Sequence, residues 1–161
     1  MMHLATAHQT THLRCYLINV RSLLNKLGDF QVFLDTVDPD IVVLTETWFD
    51  SSTPNSLFVS CNKYHVFRFD RCSRGGGVCV SVKRSGISIN EISLKDKYKN
   101  VEIVAVDLSD SNGLLPVRLV AVYRPPSCTD YEDTELFLAL KESGHRWKNY
   151  TISRPIFFQY D

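Results

Sequence analysis

Cysteine is sparse and poorly placed for cross-linking. The five residues Cys15, Cys61, Cys72, Cys79 and Cys128 are odd in number and include no C-x-x-C pair, which excludes a disulfide framework and a zinc knuckle and leaves reduced, buried thiols as the expectation. Histidine supplies no metal cluster either: His3, His8 and His12 sit in a polar leader without a cysteine partner, and His65 and His145 are isolated. Seven glycines and six prolines in 161 residues are too few for a fibrous or low-complexity chain. No apolar run approaches the ~20 residues of a membrane span, and "MMHLATAHQTTHL" (1–13) lacks the apolar core of a secretory signal. These absences predict an intracellular protein, nuclear or cytoplasmic, not secreted and without a membrane partner; the acceptor pattern Asn149-Tyr150-Thr151 then carries no glycosylation. Net charge is also missing, with eighteen basic side chains against eighteen acidic ones, so total charge selects neither nucleic acid nor membrane.

What is present is a globular composition, 44% hydrophobic and 11% aromatic, in a chain long enough for one domain with a real core. Its charge is segregated. Residues 27–55 hold six carboxylates and no Lys or Arg, whereas residues 62–99 hold nine basic side chains against three acidic ones. A basic segment can track phosphates and an acidic one can hold a cation, although solvated faces show the same pattern.

"RCYLINV" (14–20) reads as a buried strand. Leu23, Leu27, Phe30, Phe33, Leu34 and Val37 then recur at helical spacing, with Ser22 as the expected N-cap and Pro39 forcing a stop near Asp38. Ile41–Leu44 is a second buried strand, which completes a βαβ unit with parallel strands. Short strands follow at 63–69, 77–83, 86–92, 101–108 and 117–123, broken by Gly75–Gly77, Ser85-Gly86 and Asn112-Gly113, in the pattern of a meander. Thr129 and Glu132 form a capping box for a helix over 132–143, with Leu136, Phe137 and Leu140 expected on the core side. The mixture predicts an α/β sandwich of two sheets with flanking helices.

Functional groups in α/β folds collect at the carboxyl ends of strands. The first strand ends at Asn19 beside Arg21 and Ser22, the second at Glu46, and the last of the short strands at Tyr123 and Arg124. If these ends adjoin, Asn19 and Glu46 share a cation and Tyr123 faces an oxyanion, a set suited to magnesium, which takes one or two protein carboxylates and keeps sites for water and phosphate. Each residue also has an ordinary reading. Glu46 is then a solvated carboxylate, Trp48 a packing residue, Gly75–Gly77 a tight strand connection without the Lys and Ser or Thr of a P-loop, and Arg71 and Arg74 exposed turn residues.

Order adds what single residues do not. "NVRSL" (19–23), "TETW" (45–48), "FRFDRCSRGGGVCVSV" (67–82) and "AVYRPP" (121–126) occur in one sequence, and together they resemble the apurinic endonuclease-like domain of non-LTR (LINE-type) retrotransposons, in the exonuclease-endonuclease-phosphatase superfamily. The resemblance runs from Cys15 to Ile152 and implies a four-layer αββα sandwich. The expected division is a leader (1–13), the domain's N-terminal part (14–152) and a divergent tail (153–161). It implies a DNA-nicking phosphodiester hydrolase using Mg2+ or Mn2+, joined in intact relatives to a reverse transcriptase in the same polyprotein. By the same resemblance Glu46 ligates the metal, Asn19 assists, and Tyr123 contacts the scissile phosphate, with Arg21, Arg71, Arg74 and Arg124 expected on nucleic acid. The family's later Gly-Asp-Phe-Asn and Ser-Asp-His motifs do not occur in these 161 residues. The expectation is therefore a C-terminally truncated, catalytically incomplete fragment with weak metal binding. Two alternatives are a non-catalytic nucleic-acid-binding remnant and a phosphoinositide or sphingomyelin phosphodiesterase of the same fold.

Overall fold

The computed structural model describes residues 13–71, 74–94, 96–110 and 117–144. The leader before Leu13 with its three histidines, Cys72, the Asn112-Gly113 break, His145, the acceptor pattern at Asn149 and the tail lie outside these residues.

Strand β1 (Cys15–Asn19) leads through a 3-10 turn (Leu23–Lys26) into helix α1 (Leu27–Val37), and the chain returns as β2 (Ile41–Thr45). The two strands are parallel, Cys15 facing Ile41 and Asn19 facing Thr45. Asp38 ends α1 in the left-handed conformation (φ 48°), its N–H donating to the Leu34 carbonyl at 3.0 Å, and Pro39 prevents resumption. The start of the helix departs from expectation. Ser22 stands at φ 72° and makes no side-chain cap; its N–H donates to the Glu46 carbonyl at 2.9 Å, and its hydroxyl accepts from the Asn25 amide at 3.1 Å. The turn is held by the neighbouring strand end instead of by the helix.

The five short strands are not one meander. β3 (Tyr64–Phe69) and β4 (Val78–Lys83) join the first sheet in the order β1-β2-β4-β3, while β5 (Ile87–Ile92), β6 (Glu102–Asp110) and β7 (Val117–Tyr123) form a second, antiparallel sheet. Ser85 and Gly86, the latter at φ 73°, carry the chain from one sheet to the other.

Alternation within the strands builds the layers. Val42 and Leu44 face α1 and pack with Phe30 and Leu34, whereas Ile41 and Val43 face the second sheet and pack with Val78, Val80, Val82, Val104, Val106 and Leu108. Both faces of β2 are covered, which is why its sequence is continuously apolar. On the far side of the second sheet, Ile103 and Ala105 pack with Leu136 and Ala139 of α2 (Asp130–Gly144). The order is helix, sheet, sheet, helix, and each fully buried Val or Leu contributes about 1.5–3 kcal/mol.

The capping box of α2 forms: the Thr129 N–H donates to Glu132 at 2.7 Å and the Glu132 N–H to the Thr129 hydroxyl at 3.3 Å. Its inner face differs from expectation. Phe137 is 70% exposed and Leu140 39%, and Ala139 and Ser143 are buried in their place. The inward positions Leu136, Ala139 and Ser143 follow helical spacing, and their two small side chains let the helix lie close to the sheet, where Arg118 of β7 reaches the Ser143 carbonyl. The expectation of buried thiols also fails in part: Cys79 is buried, but Cys15 and Cys61 are exposed and Cys128 is intermediate. Burial raises the Cys79 thiol to about 12. No helix among the described residues is long and apolar enough to cross a membrane.

At the foot of β2, Asp38 receives Lys63 at 2.8 Å and Lys83 at 2.5 Å. Arg14 donates to the Val37 carbonyl at 2.8 Å and also to the Asp38 carbonyl. The helix end, the strand foot and β4 are thereby tied at one point, away from the strand tips.

Candidate metal and phosphate site

The tips of β1, β2 and β7 converge. Asn19 is the last residue of β1 and registers with Thr45, Glu46 directly follows Thr45 at the end of β2, and Tyr123 ends β7 in the facing sheet. The Asn19 amide nitrogen donates to Glu46 Oε1 at 2.8 Å, and the Tyr123 phenol donates to the same oxygen at 3.1 Å. Asn19 Oδ1 accepts the Arg21 N–H at 3.3 Å, which fixes the amide with its nitrogen toward the carboxylate.

The backbone around this carboxylate is unusual. Arg21, Ser22, Glu46 and Trp48 all have positive φ (42°, 72°, 55° and 57°), and Asp38 is the remaining described non-glycine residue that does. Each costs on the order of 1 kcal/mol or more and persists only where its surroundings over-determine it. Here the surroundings are a ladder of hydrogen bonds: Val20 to the Thr45 carbonyl (3.0 Å), Ser22 to Glu46 (2.9 Å), Leu23 to Thr47 (3.2 Å) and Trp48 to Gly76 (3.0 Å). They set Glu46 half-buried with Oε1 doubly held.

A divalent cation fits this donor set in a restricted way. Among the described residues no group of three His, Cys, Asp or Glu side chains could hold a metal, but Glu46 Oε2 has no partner among them and is oriented by the bonds on Oε1. One rigid carboxylate with room for water and phosphate is the arrangement magnesium accepts. The Asn19 oxygen is turned away toward Arg21, so Asn19 here orients Glu46 and does not offer itself as a ligand.

Glu102, on β6 opposite Tyr123, was not singled out by the sequence. It is 6% exposed, accepts the Gly77 N–H, and lies 3.5 Å from Arg71 Nη1. A side chain at Gly76 (φ 71°) would place its Cβ 2.5 and 2.6 Å from the two Glu102 oxygens, and one at Gly77 (φ 94°) would lie 2.3 Å from Thr47 Oγ1. The glycine run is a strand connection, as expected, and also a lid pressed onto Glu102 and Thr47. The sequence did carry a signal: Glu102, Val104, Val106 and Leu108 alternate in phase, and the last three line the core between the sheets, which makes the first an inward carboxylate.

The four arginines fare differently. Arg71 pairs with Glu102, Arg74 lies over the Trp48 ring with its guanidinium carbon 5.6 Å from the centroid, and Arg21 is exposed at the strained turn. Arg124 pairs with Asp133 through two 2.7 Å hydrogen bonds, which ties its guanidinium to the start of α2 while 48% of the side chain stays exposed. The Trp48 side chain is half-buried, its indole nitrogen without a partner among the described residues, closer to the packing reading than to a free stacking platform.

Electrostatics follow from the geometry. Burial raises the Glu102 carboxyl, with the Gly77 N–H and Arg71 opposing and the Glu46 charge adding to the rise. Burial raises the Tyr123 phenol first, and the negative charge of Glu46 with the hydrogen bond to it raises it further. Tyr123 is therefore a neutral donor at ordinary pH.

No protein-family model matches the chain, and no curated protein does. Solved structures do. The 3' phosphatase NExo from Neisseria, bound to a product DNA hairpin, aligns with TM-score 0.56 and 21% identity over 84% of this chain and 52% of its own. The AP endonuclease LMAP from Leishmania major aligns with TM-score 0.59 and 18% identity over 82% and 47%. TDP2 from D. rerio, in complex with a single-strand DNA product, aligns with TM-score 0.56 and 14% identity over 85% and 56%. The chain spans about half the length of these proteins, and what it shares with them is the two-sheet α/β sandwich of the exonuclease-endonuclease-phosphatase type.

Proposed function

We propose that the cluster of Asn19, Glu46 and Tyr123 is the metal-binding part of a DNA phosphodiesterase site of the retrotransposon endonuclease kind. The observation that carries the reading is the double hold on Glu46 Oε1 by groups from two sheets, which leaves Oε2 open at a strained, strand-tip position. The retrotransposon assignment rests on the ordered motifs, and the DNA substrate is supported by folds shared with DNA-bound enzymes.

A bound Mg2+ or Mn2+ would supply charge neutralisation at a phosphoryl oxygen. The chain's own residues do the rest of what is present. Asn19 and Tyr123 fix the carboxylate, the phenol keeps its proton and serves as a donor, and Arg71 and Arg74 put positive charge at the rim. Among the described residues no histidine stands at the site to take a proton from water. Their one histidine, His65, registers with Val82, which in turn registers with Ile41, and so lies at the foot of β2, hydrogen-bonded to Arg84 at 3.0 Å.

The 161-residue polypeptide is expected to bind Mn2+ through Glu46, seen as a titration lost in Glu46→Gln, and to leave supercoiled plasmid intact in magnesium, since a positioned base is worth about 10²–10⁴-fold. Nicking abolished by Glu46→Gln would overturn the second expectation, and Mn2+ binding unaffected by that substitution would overturn the first. A non-catalytic nucleic-acid-binding role is favoured by one observation, the exposed Arg74 guanidinium held over the Trp48 ring at the rim of the site. It calls for salt-dependent DNA retention that survives Glu46→Ala.

A further inference from the structure

Glu102 is a buried carboxylate that the proposed reaction does not use, and three independent features meet on it. The Gly77 N–H donates to it, Gly76 packs against it so closely that no side chain fits, and the Arg71 guanidinium pairs with it. Arg71 crosses the same ground: its Cδ would lie 2.9 Å from a Cβ at Gly76, and its charge acts on Tyr123 and on Glu132 at the start of α2. The guanidinium is thus beside the buried carboxylate and near enough to the phenol that holds Glu46 for its charge to act there. Nη1 lies 3.5 Å from Glu102 Oε1, and 37% of the side chain remains exposed, which leaves N–H donors for a second anion.

We propose that Glu102 is the positioning residue of this site: it clamps the Gly76–Gly77 loop and aims Arg71 at the phosphate that would bind over Glu46 and Tyr123. The inference rests on the phosphodiesterase reading for the identity of the anion, but not for the clamp itself. Its logic is that a long arginine side chain loses much of its usefulness to rotamer freedom, and a fixed partner on one edge of the fork removes that freedom while the other edge stays available.

Glu102→Gln separates positioning from packing. The glutamine oxygen still accepts from Gly77 in nearly the same volume, but its amide group no longer attracts Arg71. By charge alone, removing a negative group beside the site should tighten DNA binding. Positioning demands the opposite sign: in low salt with magnesium, a fluorescent 20-base-pair duplex should bind Glu102→Gln about three- to tenfold more weakly, as it should Arg71→Ala, with little further loss in the double variant. Arginine side-chain NMR provides the arm that does not depend on DNA. The Arg71 guanidinium should show restricted rotation in the wild type and free rotation in Glu102→Gln. Arg68, held by Asp70, the Thr53 and Asp50 carbonyls and Asn55, should not change. Equal Arg71 mobility in both proteins, or tighter duplex binding by Glu102→Gln, would overturn the positioning role. A wild type that binds no duplex, with Arg71 still released by the substitution, would uphold the clamp and overturn the DNA reading of the site.

Discussion

Gly77 shows how much of the site is decided by single atoms. Its φ of 94° already disfavours any side chain, and a Cβ there would meet the buried Thr47 hydroxyl at 2.3 Å, a group with no hydrogen-bond partner among the described residues. Gly77→Ala should therefore lower stability by about 1–3 kcal/mol in urea unfolding. Gly28 is the control, since it lies in α1 with nothing within 4 Å of an added Cβ, and Gly28→Ala should raise stability by about 0.5–1 kcal/mol. Equal effects of the two would mean that the loop does not press on Thr47. At this scale the sequence was partly legible. Asn19, Glu46 and Tyr123 could be read because polar residues end apolar strands, whereas Glu102 stands at the start of its strand, and only its phase with Val104, Val106 and Leu108 marks it as inward. The partner of Arg124 was not legible: Asp133 lies on another element, and nothing in "AVYRPP" announces it.

Among the elements, β2 is fastened at its foot and functional at its tip. Lys63 and then Lys83 hydrogen-bond the Asp38 carboxyl and lower it from 3.8 to about 2. A depressed carboxyl stabilises the fold above its unfolded value and loses that contribution as pH falls through the folded one. Asp38→Asn keeps a residue that tolerates the left-handed cap, so it should isolate the charge: less stable than the wild type at pH 7, with the difference closing between pH 3.8 and about 2. Urea melts across that range would show a constant gap if the lysines did not matter. Strand positions were readable to within a residue or two because alternation and glycine breaks are local. The partition of strands between sheets was not, since it depends on the turn at Gly86 and on which faces meet. The inner face of α2 was misread because apolarity was taken for burial, while close approach to the sheet selects Ala139 and Ser143 by size.

For the whole molecule, the core between the sheets is shared. Val80 and Val82 from one sheet and Val104, Val106 and Leu108 from the other form a single buried cluster, so neither sheet can keep its inner face covered without its partner. Unfolding followed by far-ultraviolet circular dichroism and by Trp48 fluorescence, in a Trp147→Phe background, should give coincident transitions. Separated midpoints would show that the sheets fold independently.

At the working end Tyr123 of the second sheet reaches across to Glu46 of the first over 3.1 Å. That distance is an alignment gauge. One residue of slip along a strand is about 3.3 Å, enough to part the phenol from the carboxylate while both sheets keep their backbone ladders. Mild heat or pressure that lets the sheets shear would then silence the site long before either sheet unravels, and the loss would reverse as soon as the two surfaces came back into register.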